Sequence, residues 1–353
     1  MVTMLDCIRR VPSLLDQIIN SAETRYQNVL ETFNPNEIDE ICLIGSGTSY
    51  TSASTARYLA EAASGIRVTV ALPNEFLYAY TVRNPKALYV FISQSGTSTV
   101  TMNALLAMRA CGMMTAALSE DAKTPIAKAA ETFIDIGCGV EEYGMRTIGY
   151  STTALTLMML GMRIGLETGR LDKAAYEAYV AQAHAASSNI PDVIEKALHW
   201  MDVGRRNIMR SSFIAFTGTA ALYGVAKEAA VKVWEAPQFP SAGFELDEGM
   251  HGPNYGYNDN HAVIVLNDGG KDSEKALALA RYMKNEHSNG YVIGVGAADD
   301  KDLGFTPAGG LFCCLEFAAA VQVFMYRLAV DGGRDFSIKG IHAKMNSYFN
   351  AHT

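Results

Sequence analysis

Residues 40–64 read EICLIGSGTSYTSASTARYLAEAAS: a short apolar run, a turn of Gly, Ser and Thr, and a stretch in which apolar and small residues recur with helical spacing. A strand that passes through a tight turn into a helix is the unit from which parallel sheets are built. The same order returns at 211–236, where SSFIAFTGT leads into AALYGVAKEAAVKVWEA. The chain therefore follows one plan twice.

Other β-rich runs accompany both of these segments. They lie at 65–72, 87–93, 115–120 and 132–137 in the first half, and at 261–268 and 290–297 in the second. Strands separated by helices predict a parallel sheet with right-handed crossovers and helices on both faces. The predicted fold class is α/β, with two related domains in tandem, each a three-layer α-β-α sandwich.

The remaining segments complete the predicted organisation. Residues 152–205 show a helical pattern, and 310–330 read as a strand end followed by a buried helix. The predicted parts are an N-terminal helix (1–30), a first α/β domain (31–170), a helical connector (171–205), a second α/β domain (206–335) and a C-terminal tail (336–353).

Composition narrows the class of function. The chain has 353 residues, of which 49% are hydrophobic and 19% charged, and its net charge is -8. Such a balance indicates a well-packed globular protein, and the absence of a basic cluster argues against a nucleic-acid partner. No segment reaches the unbroken apolar length that a bilayer requires, and 152–166 reads as a buried helix. We therefore expect no membrane association.

The cysteines and the N-terminus bear on location and on metals. Six cysteines occur without a CxxC pair or a His/Cys metal spacing, so we expect free thiols, no bound metal and a reducing cytoplasm. The N-terminal segment is amphipathic and charged, unlike a signal peptide. No motif calls for a cofactor.

Two polar loops follow predicted strands of the first domain: GSGTSY at 45–50 and SQSGTST at 93–99. Both combine Gly, which permits close backbone approach, with hydroxyl donors, and neither contains a carboxylate. This chemistry suits a phosphate better than a metal. Neither loop matches GxGxxG or GxxxxGK[ST], so we predict a monophosphate. The alternative is that these residues only cap helices.

The second domain carries titratable residues. Glu228, Lys232 and Glu235 lie at i, i+4 and i+7, on one face of a predicted helix. The alternative interpretation is a solvated ladder of ion pairs. His251 follows in a long stretch rich in Gly, Pro and acids, and a histidine in this setting is a candidate general acid or base.

These residues and their order resemble the sugar isomerase (SIS) family. The matching motifs are GTS (47–49), NEF (74–76), SQSG (93–96), and Glu235 followed after fifteen residues by HGP (251–253). The resemblance covers roughly residues 30–350. It extends to the isomerase half of glucosamine-6-phosphate synthase and to the fructosamine-6-phosphate deglycases.

The resemblance implies roles for individual residues. The implied phosphosugar-binding residues are Thr48, Ser49, Ser93, Gln94, Ser95, Ser98 and Thr147. Two positions depart from the family pattern: Ser98 replaces a Thr, and Gly149 replaces a Lys. The resemblance further implies that Glu235 moves a proton between C1 and C2, that His251 opens the sugar ring, and that Lys232 belongs to the site.

The resemblance also implies a role for the C-terminal tail and an oligomeric state. Lys344 stands where the synthase has its Schiff-base lysine, with Lys339 nearby as the alternative. Because the synthase histidine comes from the neighbouring subunit, a homodimer with shared sites is implied.

The chain enters its sugar domain within about forty residues, without the glutaminase domain that the synthase carries. We therefore expect a deglycase that releases hexose 6-phosphate and an amine from a sugar-amine 6-phosphate. The alternatives are an aldose-ketose isomerase, a glucosamine-6-phosphate deaminase and, in another class, a non-catalytic sugar-phosphate sensor.

Overall fold

The computed structural model describes residues 2–336 and residue 348. The chain divides into two compact units. One unit contains residues 2–13, Glu141–Ser151 and Tyr179–Arg334; the other contains Leu14–Val140, Thr152–Ala178 and the described residues after Arg334. The domain boundaries expected from the sequence stay a prediction. Lys339 and Lys344 lie outside the described residues.

The unit that begins at Leu14 is built on a five-stranded parallel sheet of order β2-β1-β3-β4-β5. Its three central strands, β1, β3 and β4, are almost entirely buried, as expected when helices cover both faces. The five strands are β1 (Glu40–Gly45), β2 (Arg67–Ala71), β3 (Ala87–Ile92), β4 (Thr115–Ser119) and β5 (Thr132–Asp135).

Eight helices lie between residues 4 and 167 of the described chain. They are α1 (Met4–Asn20), α2 (Ala22–Arg25), α3 (Gln27–Thr32), α4 (Thr48–Ser64), α5 (Pro73–Tyr78), α6 (Thr99–Ala110), α7 (Pro125–Ala129) and α8 (Ile148–Glu167). Phe76 from α5, Leu105 from α6 and Ile126 from α7 pack in one cluster with Ile44 and Phe91 of the sheet. This cluster is the apolar core of that face.

The other unit contains a second five-stranded parallel sheet, of order β10-β9-β8-β6-β7. When its strands are numbered from the first in sequence, the order is again 2-1-3-4-5. The strands are β6 (Phe213–Gly218), β7 (Ser241–Glu245), β8 (His261–Asn267), β9 (Gly290–Gly294) and β10 (Leu303–Gly304). The prediction of two α/β domains with parallel sheets is confirmed.

The helices that follow α8 in the described residues are α9 (Lys173–Arg210), α10 (Ala220–Glu235), α11 (Ser273–His287) and α12 (Cys314–Asp331). Short 3₁₀ turns lie at Pro35–Glu37, Glu248–Met250, Pro253–Gly256 and Gly310–Phe312. α11 packs on one face of the second sheet, where Leu279 and Met283 contact Val263 and Val265. On α12, the Phe324 ring lies 5.6 Å from that of Phe216 in β6.

α12 is a core helix. In the described residues α12 belongs to one segment, Gly310–Asp331, that is long and apolar enough to cross a bilayer. The prediction that no segment reaches this apolar length is therefore wrong. However, 83% of the segment's most apolar stretch is buried inside the protein. Its apolar composition is therefore explained by packing.

Two local predictions need correction. The strand end expected at the start of 310–330 is a 3₁₀ turn, because Gly310 adopts a φ of +52° that a strand does not use. β7 lies within the stretch interpreted as an irregular loop, and it pairs with β6 despite its small residues.

Candidate functional site

The two hydroxyl-rich loops leave neighbouring strands of the first sheet at the same edge. Gly45, the last residue of β1, pairs with Ile92, the last residue of β3. The loops that start at Ser46 and Ser93 therefore begin side by side. In a sheet of order 2-1-3-4-5 the connections diverge between β1 and β3, and this divergence opens the crevice in which such sheets bind ligands.

The loop after β1 is shaped by Gly47. This residue has a φ of +56° and precedes the first residue of α4, so the chain reverses without a side chain at the helix start. Ser46 and Gly47 are exposed, while Thr48 and Ser49 are half-buried. The loop thus presents backbone and two hydroxyl residues at the N-terminus of a seventeen-residue helix.

The loop after β3 is held more tightly. Gly96 has a φ of +68°, and a Cβ at this position would lie 2.3 Å from Thr124 Cβ, so no larger residue fits. The Ser95 and Thr97 hydroxyls lie 2.9 Å apart, and the Gln94 side-chain amide donates to Cys138 Sγ at 3.6 Å. The loop is therefore a packed structure with a fixed conformation.

Helix capping alone does not account for these hydroxyls. Ser98 precedes α6 but makes no side-chain capping hydrogen bond; its Oγ accepts from Thr101 Oγ1 at 3.0 Å. At α4 the corresponding position is Gly47, which has no side chain. The predicted residues Thr48, Ser49, Ser93, Gln94, Ser95 and Ser98 all lie in this pair of adjacent loops, and their phosphate-binding role stays a prediction.

Thr147 lies in a hydrogen-bond network around Glu141, and its predicted phosphosugar-binding role stays a prediction. It is 1% exposed and lies directly before α8. Its hydroxyl donates to Glu141 Oε1 at 3.1 Å, and its backbone N–H donates to the same oxygen at 2.5 Å. Gln322 also donates to the Thr147 carbonyl at 2.9 Å.

Glu141 is the residue that sequence reasoning missed. Its carboxylate, whose side chain has no exposed surface, also accepts from the backbone N–H groups of Ile148 at 2.9 Å and Gly149 at 3.1 Å. A carboxylate at this position compensates the positive end of α8. The residue lies seven positions before the helix, beyond the range of capping patterns, so no sequence signal pointed to it.

On α10, the predicted trio of charges forms a partly buried cluster. Lys232 Nζ donates to Glu235 Oε2 at 2.6 Å and lies 3.4 Å from Glu228 Oε1. The side chains of Lys232 and Glu228 are 2% and 1% exposed, whereas that of Glu235 is 36% exposed. The solvated ladder considered above is therefore ruled out for two of the three members.

Electrostatics keep this lysine charged. Burial disfavours the ammonium, but Glu228 and Glu235 outweigh it and raise the pKa of Lys232 above its ordinary value. The cluster holds one positive and two negative charges. Glu235 is thus an ion-paired carboxylate with solvent access, and its role in proton transfer stays a prediction.

His251 lies on an exposed turn after β7. Its Nδ1 is 2.8 Å from the Asp247 carbonyl oxygen. Because a carbonyl can only accept, the proton of the neutral ring is on Nδ1 and Nε2 keeps its lone pair. Within the described ranges no hydrogen bond joins His251 to Glu235, so their joint role remains a prediction.

The part of the chain that the structure describes offers no group of three or more His, Cys, Asp and Glu residues able to hold a metal. All six cysteines lie within it as free thiols, and Cys111 is the exposed one.

Comparison with known protein families identifies a domain in the first part of the chain. Residues 36–163 match the SIS domain. The chain carries a SIS domain. These residues span β1 to β5 and both hydroxyl-rich loops, so the SIS domain coincides with the first sheet, and the resemblance read from the motifs is confirmed.

A curated relative is the glutamine--fructose-6-phosphate aminotransferase of Haemophilus influenzae, 26% identical over 313 residues. The match covers 88% of this chain and 48% of the relative, so the chain spans about half the length of the curated relatives it matches.

Solved structures share the fold of this protein over nearly the whole chain. A candidate phosphosugar isomerase from Clostridium difficile 630 superimposes with a TM-score of 0.90 at 24% identity, covering 98% of both chains. The C-terminal domain of glucosamine-fructose-6-phosphate aminotransferase from Francisella tularensis gives 0.84 at 18% identity, covering 94% of this chain and 96% of that one. The fold of this protein is therefore that of the C-terminal domain of the aminotransferase.

Proposed function

We propose that this protein is an enzyme that acts on a sugar 6-phosphate bearing an amine at C1 or C2, and that it releases the hexose 6-phosphate and the amine. The observation that carries the proposal is the ion-paired Glu235 carboxylate on a buried Lys232 in a phosphosugar isomerase fold. A non-catalytic sensor of sugar phosphate would not need this carboxylate and lysine pair. Burying a lysine is costly unless its charge is compensated, so such a cluster points to a functional requirement.

The phosphate is assigned to the loops after β1 and β3. Gly47 and Gly96 allow close approach of the backbone, and Ser49, Ser95 and Ser98 add hydroxyl donors. Holding the unreactive end of an open-chain sugar lowers the entropic cost of proton transfer at the other end. The phosphate would thus supply binding energy without taking part in the reaction.

The proton transfer is assigned to Glu235. In a ketosamine 6-phosphate its carboxylate would take the proton from C1 and return a proton to C2. The C2 carbonyl oxygen gains a proton to become a hydroxyl and the nitrogen loses one, which converts the ketosamine into a C1 imine. Water then adds to the C1=N bond, the C–N bond breaks, and the amine leaves with a proton. No electrons are gained or lost, so the reaction needs no redox partner.

The charge of the cluster favours an amine substrate. Two carboxylates against one ammonium leave a net negative charge at Glu228, Lys232 and Glu235. A protonated amine or iminium is stabilised by that charge, whereas a neutral ketose is not. This favours the deglycase over a simple aldose-ketose isomerase.

A substrate panel tests the proposal. The full chain is incubated with fructose-amino acid 6-phosphates, glucosamine 6-phosphate and fructose 6-phosphate, and released amine, ammonia and hexose phosphates are measured. Release of amino acid from the first group supports the deglycase. Ammonia from glucosamine 6-phosphate alone would identify a deaminase, and aldose formation from fructose 6-phosphate alone an isomerase. Binding of sugar phosphate with no turnover of any of them would identify a sensor.

A further inference from the structure

The turn that carries His251 is assembled by acidic side chains. At the end of β7, the Glu245 carboxylate accepts the backbone N–H groups of Asp247 at 2.8 Å and Glu248 at 3.1 Å. Between them Leu246 is 1% exposed, and its N–H donates to the Gly218 carbonyl at 3.2 Å. The start of the turn is therefore fixed both to the core and to its own backbone.

A second element holds the same turn from outside. Lys275, in the first turn of α11, donates from Nζ to Asp247 Oδ1 at 2.6 Å. The two side chains are about half exposed, at 46% and 54%. Hydrogen bonding to Asp247 raises the pKa of Lys275, so the lysine stays charged over the physiological range.

Asp247 in turn determines how His251 is presented. Its carbonyl oxygen accepts from Met250 N–H at 2.9 Å and from His251 Nδ1 at 2.8 Å. In the opposite tautomer the Nδ1 lone pair would face the carbonyl lone pairs, which is repulsive. Proton exchange at His251 is therefore restricted to Nε2.

We propose that Asp247 and Lys275 are positioning residues, which hold His251 as the Nδ1–H tautomer so that Nε2 alone exchanges protons with the sugar. The proposal deepens and rests on the proposed function, and it assigns to His251 the ring opening predicted for it from the sequence. In that role Nε2 takes the proton of the anomeric hydroxyl and returns a proton to the ring oxygen. The ring C–O bond breaks as the carbonyl forms.

The charged groups around His251 come from two elements. Glu245, Asp247 and Glu248 belong to its own turn, and Lys275 belongs to α11. An exposed ion pair adds little to stability, so removing Lys275 leaves the fold intact. Lys275→Met and Asp247→Asn each break the ion pair, and Asp247→Asn keeps the backbone carbonyl.

The tautomer of His251 is measured directly by nitrogen-15 NMR of the full chain labelled at histidine, with His251→Gln to assign its signals. We expect the Nδ1–H form to dominate in the natural chain, and a clear increase of the Nε2–H form in Lys275→Met and Asp247→Asn. Lys275→Arg keeps a cation and should retain the natural tautomer. The exposed Lys271, also beside α11, supplies the control Lys271→Met, which should not change the tautomer.

Kinetics supply the second measurement. Misplacement of a catalytic group by about 1 Å can lower turnover by roughly 100-fold, so kcat should fall about 10- to 100-fold in both variants with KM little changed. A dominant Nε2–H form in the natural chain would overturn the proposal. Retention of the Nδ1–H form of His251 in Lys275→Met and Asp247→Asn would also overturn it, whatever the activity of these variants. Because NMR needs no substrate, it decides the proposal even if the panel above shows no turnover.

Discussion

Lys232 is a fully charged side chain in the interior of the protein, and the carboxylates one helical turn away on either side make that possible. Spacing in the sequence placed Glu228, Lys232 and Glu235 on one face of α10. It could not tell whether that face was buried, because burial depends on what packs over the helix. A charged face is usually solvated, and here the tertiary structure reverses this expectation.

Removing the lysine should destabilise the protein strongly. Lys232→Met leaves the buried Glu228 without its cation, and breaking a buried ion pair from one side costs about 3–5 kcal/mol. Urea unfolding of this variant should show a loss in that range. Lys227→Met removes a partly exposed lysine from the same helix and should change stability by less than about 1 kcal/mol. Equal losses in the two variants would contradict the assigned role of Lys232.

The same residue predicts a dependence on alkaline pH. Because the pKa of Lys232 is raised in the folded state, its stabilising contribution is complete below its ordinary pKa of 10.5 and is lost as the pH rises through the higher folded value. The stability difference between the natural chain and Lys232→Met should therefore stay constant from pH 7 to 10 and shrink above that. Denaturant unfolding across this range measures it, and a difference that grows with pH would refute the explanation.

At the scale of elements, the loops after β1 and β3 use glycine for different reasons. Gly47 needs a φ of +56° but has open space around its missing side chain. Gly96 needs a φ of +68° and would in addition place a Cβ 2.3 Å from Thr124 Cβ. The two loops therefore differ in how they tolerate alanine.

Gly47→Ala should cost only the backbone strain, about 1–2 kcal/mol. Ala220, the first residue of α10, has a φ of +49°. The fold therefore accepts this backbone strain in a residue other than glycine. Gly96→Ala should cost clearly more, since the clash must move Thr124 or the loop. Calorimetric melting of both variants tests this order, and an equal or reversed order would contradict the loop geometry.

Most elements were predictable because their strands are buried on both faces and read as continuous apolar runs, as in Ala87–Ile92. Ser241–Glu245 was missed because SAGFE has little apolar content and owes its strand geometry to pairing with β6. Glu141 was missed because its distance from α8 follows no capping pattern. The positions of the loop residues followed from strand order, but the tie between Asp247 and His251 arises from a turn that no pattern specifies.

At the scale of the molecule, the repeat of strand, turn and helix predicted two similar sheets, and both have the order 2-1-3-4-5. Only the first sheet has hydroxyl-rich loops after both strands that flank the divergence. The second sheet has Thr219 and Ala220 at one of these positions and Asp268 and Gly269 at the other. The negative charge of Asp268 disfavours phosphate binding at the second sheet. The two sheets share one fold, but only the first has a predicted phosphate site.

Sugar phosphates should stabilise the whole molecule. A ligand that binds only the folded state at 100 times its Kd adds about 2.7 kcal/mol, which raises the melting temperature by several degrees. Glucose 6-phosphate should have this effect, whereas glucose without the phosphate should not. The shift should be lost when Ser95 and Ser98 are both replaced by Ala. Stabilisation by the unphosphorylated sugar to the same extent would argue against phosphate recognition by the loops.

Turnover by Glu235→Gln tests the central claim most directly. Glutamine keeps the size of the side chain but cannot accept the C1 proton, so release of amine from a fructose-amino acid 6-phosphate should fall by about 10²–10⁴-fold. The melting-temperature shift with glucose 6-phosphate should persist, since the phosphate is assigned to the loops after β1 and β3 and not to Glu235. Turnover equal to that of the natural chain would contradict the account.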